Sequence, residues 1–164
     1  MLNFDFYNPT HISFGKGRIA KRGSFVPVDA KVMVLYGGQS AQRTGTLDEV
    51  KAALGERQVH LFGGVEANPT YEKLMEAVQI ARDEKIDFLL AVGGGSVIDG
   101  AKFVAAAVPY ADEPWNILLS GGSDIKAALP IGTVLTLAAT GSEMNNGSVI
   151  TRKSLQAKLP FHSN

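Results

Sequence analysis

An α/β fold built on a doubly wound, mostly parallel sheet is predicted by three observations. Short apolar runs such as Phe88-Leu89-Leu90-Ala91-Val92 alternate with segments of helical periodicity. That run carries no polar alternation, as expected of a strand buried on both faces of a parallel sheet. Glycine is abundant, 18 in 164 residues, and clusters at 37–38, 63–64, 93–95 and 121–122 rather than spreading as in a linker. Clustered glycine at element boundaries means tight or ligand-facing turns.

The elements follow in order. Residues 10–14, Thr-His-Ile-Ser-Phe, alternate apolar with polar and stop at Gly15, predicting a half-exposed strand at an edge or against a partner, with His11 solvated. Lys31-Val32-Met33-Val34-Leu35-Tyr36 reads as the first central strand, ended by Gly37-Gly38-Gln39-Ser40. Leu47, Val50 and Leu54 share a helical face, with Thr46 as N-cap. Residues 58–62 form a short strand closed by Gly63-Gly64, and Asn68-Pro69 marks a loop that stops any helix before it. Leu74, Ala77, Val78 and Ala81 predict an amphipathic helix from Tyr71 to about Lys85. After the strand at 88–92 come three glycines, and then Val97, Ala101, Val104, Ala105 and Val108 on one helical face, with Ser96 as N-cap. Residues 109–124 read as loop with a helical turn at 115–119, residues 130–135 as another buried strand, and 136–143 as a small, hydroxyl-rich loop. Two short strands, at 147–151 and near 158–161, complete the chain.

The glycine turn carries the chemistry. A helix start offers unpaired N–H groups and about half a positive charge, an anion site. Residues without Cβ let a phosphate approach that backbone. The competing reading is that the glycines serve only a tight corner. The spacing is not the standard dinucleotide fingerprint, because Ile98 stands where G-x-G-x-x-G needs its third glycine. No Lys-Ser or Lys-Thr follows, so a P-loop is excluded. In parallel sheets, ligands bind beyond the carboxyl ends of the strands. Gly37-Gly38-Gln39-Ser40, Gly93-Gly94-Gly95-Ser96 and residues 136–143 all follow strands, and their convergence predicts a nucleotide site.

Composition narrows the function. The chain is one domain's worth, 45% hydrophobic and 20% charged, with zero formal net charge. Nothing electrostatic favours nucleic acid or an anionic membrane surface. There is no cysteine, so neither a disulfide framework nor thiolate chemistry, and a cytoplasmic location is expected. Residues 1–8 lack the charged and apolar regions of a signal peptide, and no apolar run approaches the roughly 18 residues of a membrane span.

Three motifs together resemble the iron-dependent (group III) alcohol dehydrogenases. They are Phe14-Gly15-Lys16-Gly17, Gly93-Gly94-Gly95-Ser96-x-x-Asp99 and Thr140-Gly141-Ser142-Glu143, and the loop Asn68-Pro69-Thr70 also matches. Within that family the chain is most similar to the NADPH-dependent aldehyde reductase and butanol dehydrogenase branch. The resemblance implies that residues 1–164 are the Rossmann-like N-terminal domain of a two-domain dehydrogenase. It implies cofactor contacts at Gly93, Gly94, Gly95, Ser96 and Asp99, hydroxyl contacts at Thr136, Thr140 and Ser142, and further contacts at Asn145, Gly147 and Lys158. Five of these have a plain alternative: Asp99 as a first-turn carboxylate complementing the helix dipole, the three hydroxyls as turn chemistry, and Lys158 as a solvated cation.

Cofactor choice is expected at the end of the first strand. NAD enzymes resembling this family carry an Asp there, which would repel a 2′-phosphate. Gly37, Gly38 and Ser40 stand there instead, so NADP is expected over NAD. The resemblance further implies Fe²⁺ or Zn²⁺, held by an Asp and three His of a helical domain. His11, His60 and His162 lack the spacing such a site uses, and His60 reads as a half-buried strand residue. No catalytic or metal-ligating residue is therefore assigned within this chain. It reads as the cofactor half of a larger enzyme, inactive alone, whose partners are a small alcohol or aldehyde and a second copy in a homodimer, with neither nucleic acid nor membrane. Two rival readings are a relative of glycerol dehydrogenase or dehydroquinate synthase and a stand-alone nucleotide-binding module.

Overall fold

The computed structural model describes residues 8–163; the N-terminal segment 1–7, part of the stretch without signal-peptide character, and Asn164 lie outside the described residues. Four strands form a parallel sheet: β1 (Lys31–Tyr36), β2 (Gln58–Phe62), β3 (Phe88–Gly94) and β4 (Ile131–Leu137), in the order β2-β1-β3-β4. The connections are helical: α1 (Ser40–Arg43) and α2 (Thr46–Leu54) after β1, α3 (Tyr71–Asp83) after β2, and α4 (Gly95–Ala107) and α5 (Asn116–Leu119) after β3. A separate antiparallel hairpin, β5 (Gly147–Arg152) and β6 (Ala157–His162), follows β4.

The period-2 geometry of the strands splits the core in two. Met33, Leu35, Leu89 and Ala91 pack with α3 and α4 on one face. Val32, Val34, Leu90 and Val92 pack with Leu47, Val50 and Leu54 of α2 on the other. The sheet is thus covered on both sides, which is the doubly wound, mostly parallel α/β fold expected. Helix α4 is buried beyond the predicted face, since Ile98, Phe103, Ala106 and Ala107 are buried too. The hairpin explains this: its Ile150 and Phe161 join the α3–α4 core cluster.

Several local expectations are corrected. Residues 10–14 form no strand. The backbone N–H of Thr10 instead donates to the Asn8 side chain at 2.9 Å, and His11 packs edge-on against Phe25, centroids 4.7 Å apart. A strand needs a backbone partner, and no pairing partner stands beside 10–14 among the described residues. Thr46 is the first residue of α2, not its cap; Gly45, at φ 76°, takes the cap position, just after Thr44, which caps the end of the short α1 that the sequence reading missed. Ser96 likewise lies inside α4, whose cap position is the extended Gly94. Strand β4 occupies an edge of the sheet, so Ile131 and Leu137 are exposed and the strand is only partly covered. Among the described residues no helix is long and apolar enough to cross a membrane.

Candidate functional site

The carboxyl ends of β1, β3 and β4 lie side by side, as their parallel registers require. The pairing of β3 with β4 shifts between Gly93 and Gly94, where the chain leaves the sheet to start α4. Helix α4 has no side-chain cap and no acidic residue in its first turn. Its leading N–H groups therefore keep their partial positive charge for a ligand. A groove opens over this helix start, lined by Gly94, Gly95, Ser96, Asp99, Thr140 and Lys158 among the residues singled out from the sequence. Its volume is about 540 Å³, the size of a ligand cleft rather than of a single-ion site.

The glycines divide by role. A Cβ on Gly93 would stand 2.6 Å from the Val97 side chain, so this glycine serves the corner between strand and helix. A Cβ on Gly95 would stand 2.8 Å from the Thr140 hydroxyl and 3.1 Å from that of Ser142, so the bare backbone lets the 140–142 loop close in. Gly94 meets only ordinary contacts and faces the groove. At the end of β1, Gly37 packs behind the groove, where its Cβ would reach the Val65 carbonyl at 3.4 Å, while Gly38 has open space and Ser40 is exposed at the start of α1. These three lie beside the groove lining rather than within it.

Asp99 departs from one of its two sequence readings. It sits in the second turn of α4, away from the helix start, so it does not complement the dipole there. Its Oδ2 accepts the Val149 N–H at 3.1 Å, and its main-chain carbonyl accepts the Ser148 hydroxyl at 2.9 Å. Its Oδ1 is buried with no hydrogen-bond partner among the described residues. Buried carboxylate oxygens are costly to leave unpaired.

The other candidates are placed as follows. Lys158 Nζ donates to Asn68 Oδ1 at 2.7 Å, linking β6 to the loop before α3. Thr140 and Ser142 share a 2.9 Å hydroxyl bond, and Ser142 is buried behind Thr140. Asn145 and Gly147 stand outside the lining, and Gly147 N–H donates to Asn145 Oδ1 at 3.0 Å. Thr136 is exposed and also outside it. Sequence reading missed Asn68, Pro69, Leu137 and Val149 as lining residues. For Asn68 and Pro69 the loop motif was a usable signal, and Leu137 lies within the 136–143 segment expected at the site; Val149 is an ordinary strand residue with none. Among the described residues no three His, Cys, Asp or Glu stand close enough to hold a metal ion.

Residues 9–164 match the iron-containing alcohol dehydrogenase family. The chain is 54% identical over 165 residues to the NADPH-dependent aldehyde reductase YqhD of Escherichia coli K12, covering 99% of this chain and 43% of that protein. It is 47% identical over 167 residues to a probable NADH-dependent butanol dehydrogenase 2 of Bacillus subtilis 168, covering 100% and 43%. The crystal structure of E. coli K-12 YqhD superposes with a TM-score of 0.95 at 55% identity, over 98% of this chain and 42% of that one. The chain thus spans less than half the length of the relatives it matches.

Proposed function

This chain belongs to the iron-containing alcohol dehydrogenase family, and from that premise we propose that it is the cofactor-binding half of an NADP(H)-dependent alcohol dehydrogenase or aldehyde reductase. The whole enzyme would move hydride between NADP(H) and a small alcohol or aldehyde. The observation that carries the reading is the uncapped start of α4 opening into a groove at the carboxyl ends of the strands.

The residues present fit the cofactor. The first-turn N–H groups of α4, with Gly94 and Gly95 bare, would hold a pyrophosphate. Gly38 has room beside it and Ser40 offers a hydroxyl, so the end of β1 would take a 2′-phosphate; no carboxylate between 37 and 40 opposes it. The relative at 54% identity is named for NADPH, which supports the same choice. Asp99 Oδ1 would accept an N–H or O–H from the far half of the cofactor, and Thr140 would wall that half. Lys158 would stand over the groove, oriented by Asn68. Bound there, the cofactor would supply the hydride chemistry, while the protein orients it and limits water. The described residues do not fit an iron or zinc site, so no step is assigned through a metal; Fe²⁺ or Zn²⁺ in the intact enzyme would need ligands from outside this chain.

Titration with NADPH and with NADH, followed by nicotinamide fluorescence, tests the reading. Saturable binding that is tighter for NADPH is expected. Tighter NADH binding would overturn the cofactor choice, and binding of neither would overturn the site.

A further inference from the structure

We infer that Lys102 is a positioning residue for the groove, holding the loop that carries Thr140 through Asn145. Nothing in the motifs pointed to it. Lys102 lies on α4, three residues beyond Asp99, and is half buried. Its ammonium donates to the Asn145 carbonyl at 2.7 Å, to Asn145 Oδ1 at 3.0 Å and to the Gly147 carbonyl at 2.8 Å. An ammonium has three protons, and all three are matched to this one stretch. The Asn145 side chain in turn donates to the Thr140 carbonyl at 3.4 Å. A continuous path therefore runs from α4 through Asn145 to a residue that lines the groove.

The alternative, that Lys102 binds a ligand phosphate itself, fails on geometry. Its protons are committed, and it is not among the lining residues. Burial depresses the pKa of the Lys102 ammonium, with the charges of Asp99 and Glu143 working the other way. A cation held at such a cost is held for its contacts. Those contacts matter because residues 138–146 form neither helix nor strand, and Gly141 there is left-handed at φ 69°. Together with the Asp99 bonds to Ser148 and Val149, they make α4 the ruler against which the groove's far wall is set.

The inference rests on the cofactor reading for its ligand, but the positioning claim has its own readout. In the full chain, Lys102→Met keeps the aliphatic stem and removes the three donors. We expect NADPH affinity to fall about tenfold, while affinity for adenosine 2′,5′-bisphosphate, which reports the β1 end, stays within about twofold. In a Thr140→Ala background the same change should cost little more, since the two act on one path. Hydrogen exchange should quicken at 140–147 and stay slow in β1 and β3. Equal losses for both ligands, additive losses with Thr140→Ala, or unchanged exchange at 140–147 would each overturn the inference. If the unsubstituted chain binds no NADPH, the cofactor reading fails, and exchange alone still decides what Lys102 does. Should Lys102→Met not fold, Lys102→Gln carries the same expectations with a stem too short to reach the three acceptors.

Discussion

Neighbouring glycines in this chain do unlike jobs, and a hypothetical methyl group separates them. At Gly93 a Cβ would run into Val97, and at Gly95 into the Thr140 and Ser142 hydroxyls; at Gly38 it would meet nothing within 4 Å. Gly38 is thus a position where side-chain chemistry can be changed without disturbing packing. We expect Gly38→Asp to place a carboxylate where the 2′-phosphate would sit. Like charges a few ångströms apart near a surface repel by about 1–4 kcal/mol, so the ratio of NADPH to NADH affinity should fall on the order of tenfold or more. Gly38→Ala should leave the ratio unchanged, and paired dissociation constants for the two variants check both. The corner reading and the ligand reading of the glycine run were both legible in the sequence. Which glycine does which was not, because the answer lies in Val97 and in a loop more than forty positions away.

The hairpin is the element that local patterns described least well. Its two strands are visible as short apolar stretches, yet its place against α4 and the loop before α3 depends on polar bonds spanning 45 to 90 residues. One anchor is Glu72 at the start of α3, whose carboxylate accepts the N–H groups of Lys153 at 3.3 Å and Ser154 at 3.1 Å. Partial burial pushes the Glu72 carboxyl upward but is outweighed by the N–H groups of Ser154, of Glu72 itself and of Lys153, so its pKa lies below the ordinary 4.5. A carboxylate with a folded pKa below its unfolded one stabilises the fold above the unfolded value. That contribution is lost as pH falls through the folded value. The 153–155 turn should therefore loosen on acidification below about pH 4.5. Proteolysis or hydrogen exchange at that turn should show the step in the parent chain and a weaker one in Glu72→Gln. A second anchor is Arg152, whose guanidinium lies 4.5 Å from the Tyr71 ring and 5.2 Å from that of Trp115. Burial, with the adjacent Glu113 carboxylate, holds the Tyr71 phenol well above its usual range.

On the scale of the whole molecule, two apolar layers on opposite faces of one sheet hold the groove's floor in place. Phe103 is fully buried in the layer shared by α3, α4 and the hairpin, and packs edge-on with Tyr71 and Phe161. Phe103→Ala should destabilise the chain by about 3–5 kcal/mol, read from the shift in denaturant midpoint at constant slope. If the groove holds NADPH, saturating the parent chain at about a hundred times its dissociation constant should add about 2.7 kcal/mol. The sequence by itself determined the α/β class, the order of the major elements and the strand ends from which a ligand site would be built. Hydrophobic periodicity and glycine placement are local properties, so one chain displays them unaided. Only the tertiary structure decided that residues 10–14 form no strand, that β4 lies at an edge, that Asp99 pins β5, and that Lys102 holds the 145–147 backbone. Those outcomes depend on which distant backbone groups come within hydrogen-bonding distance, and that is settled only once the apolar layers have packed.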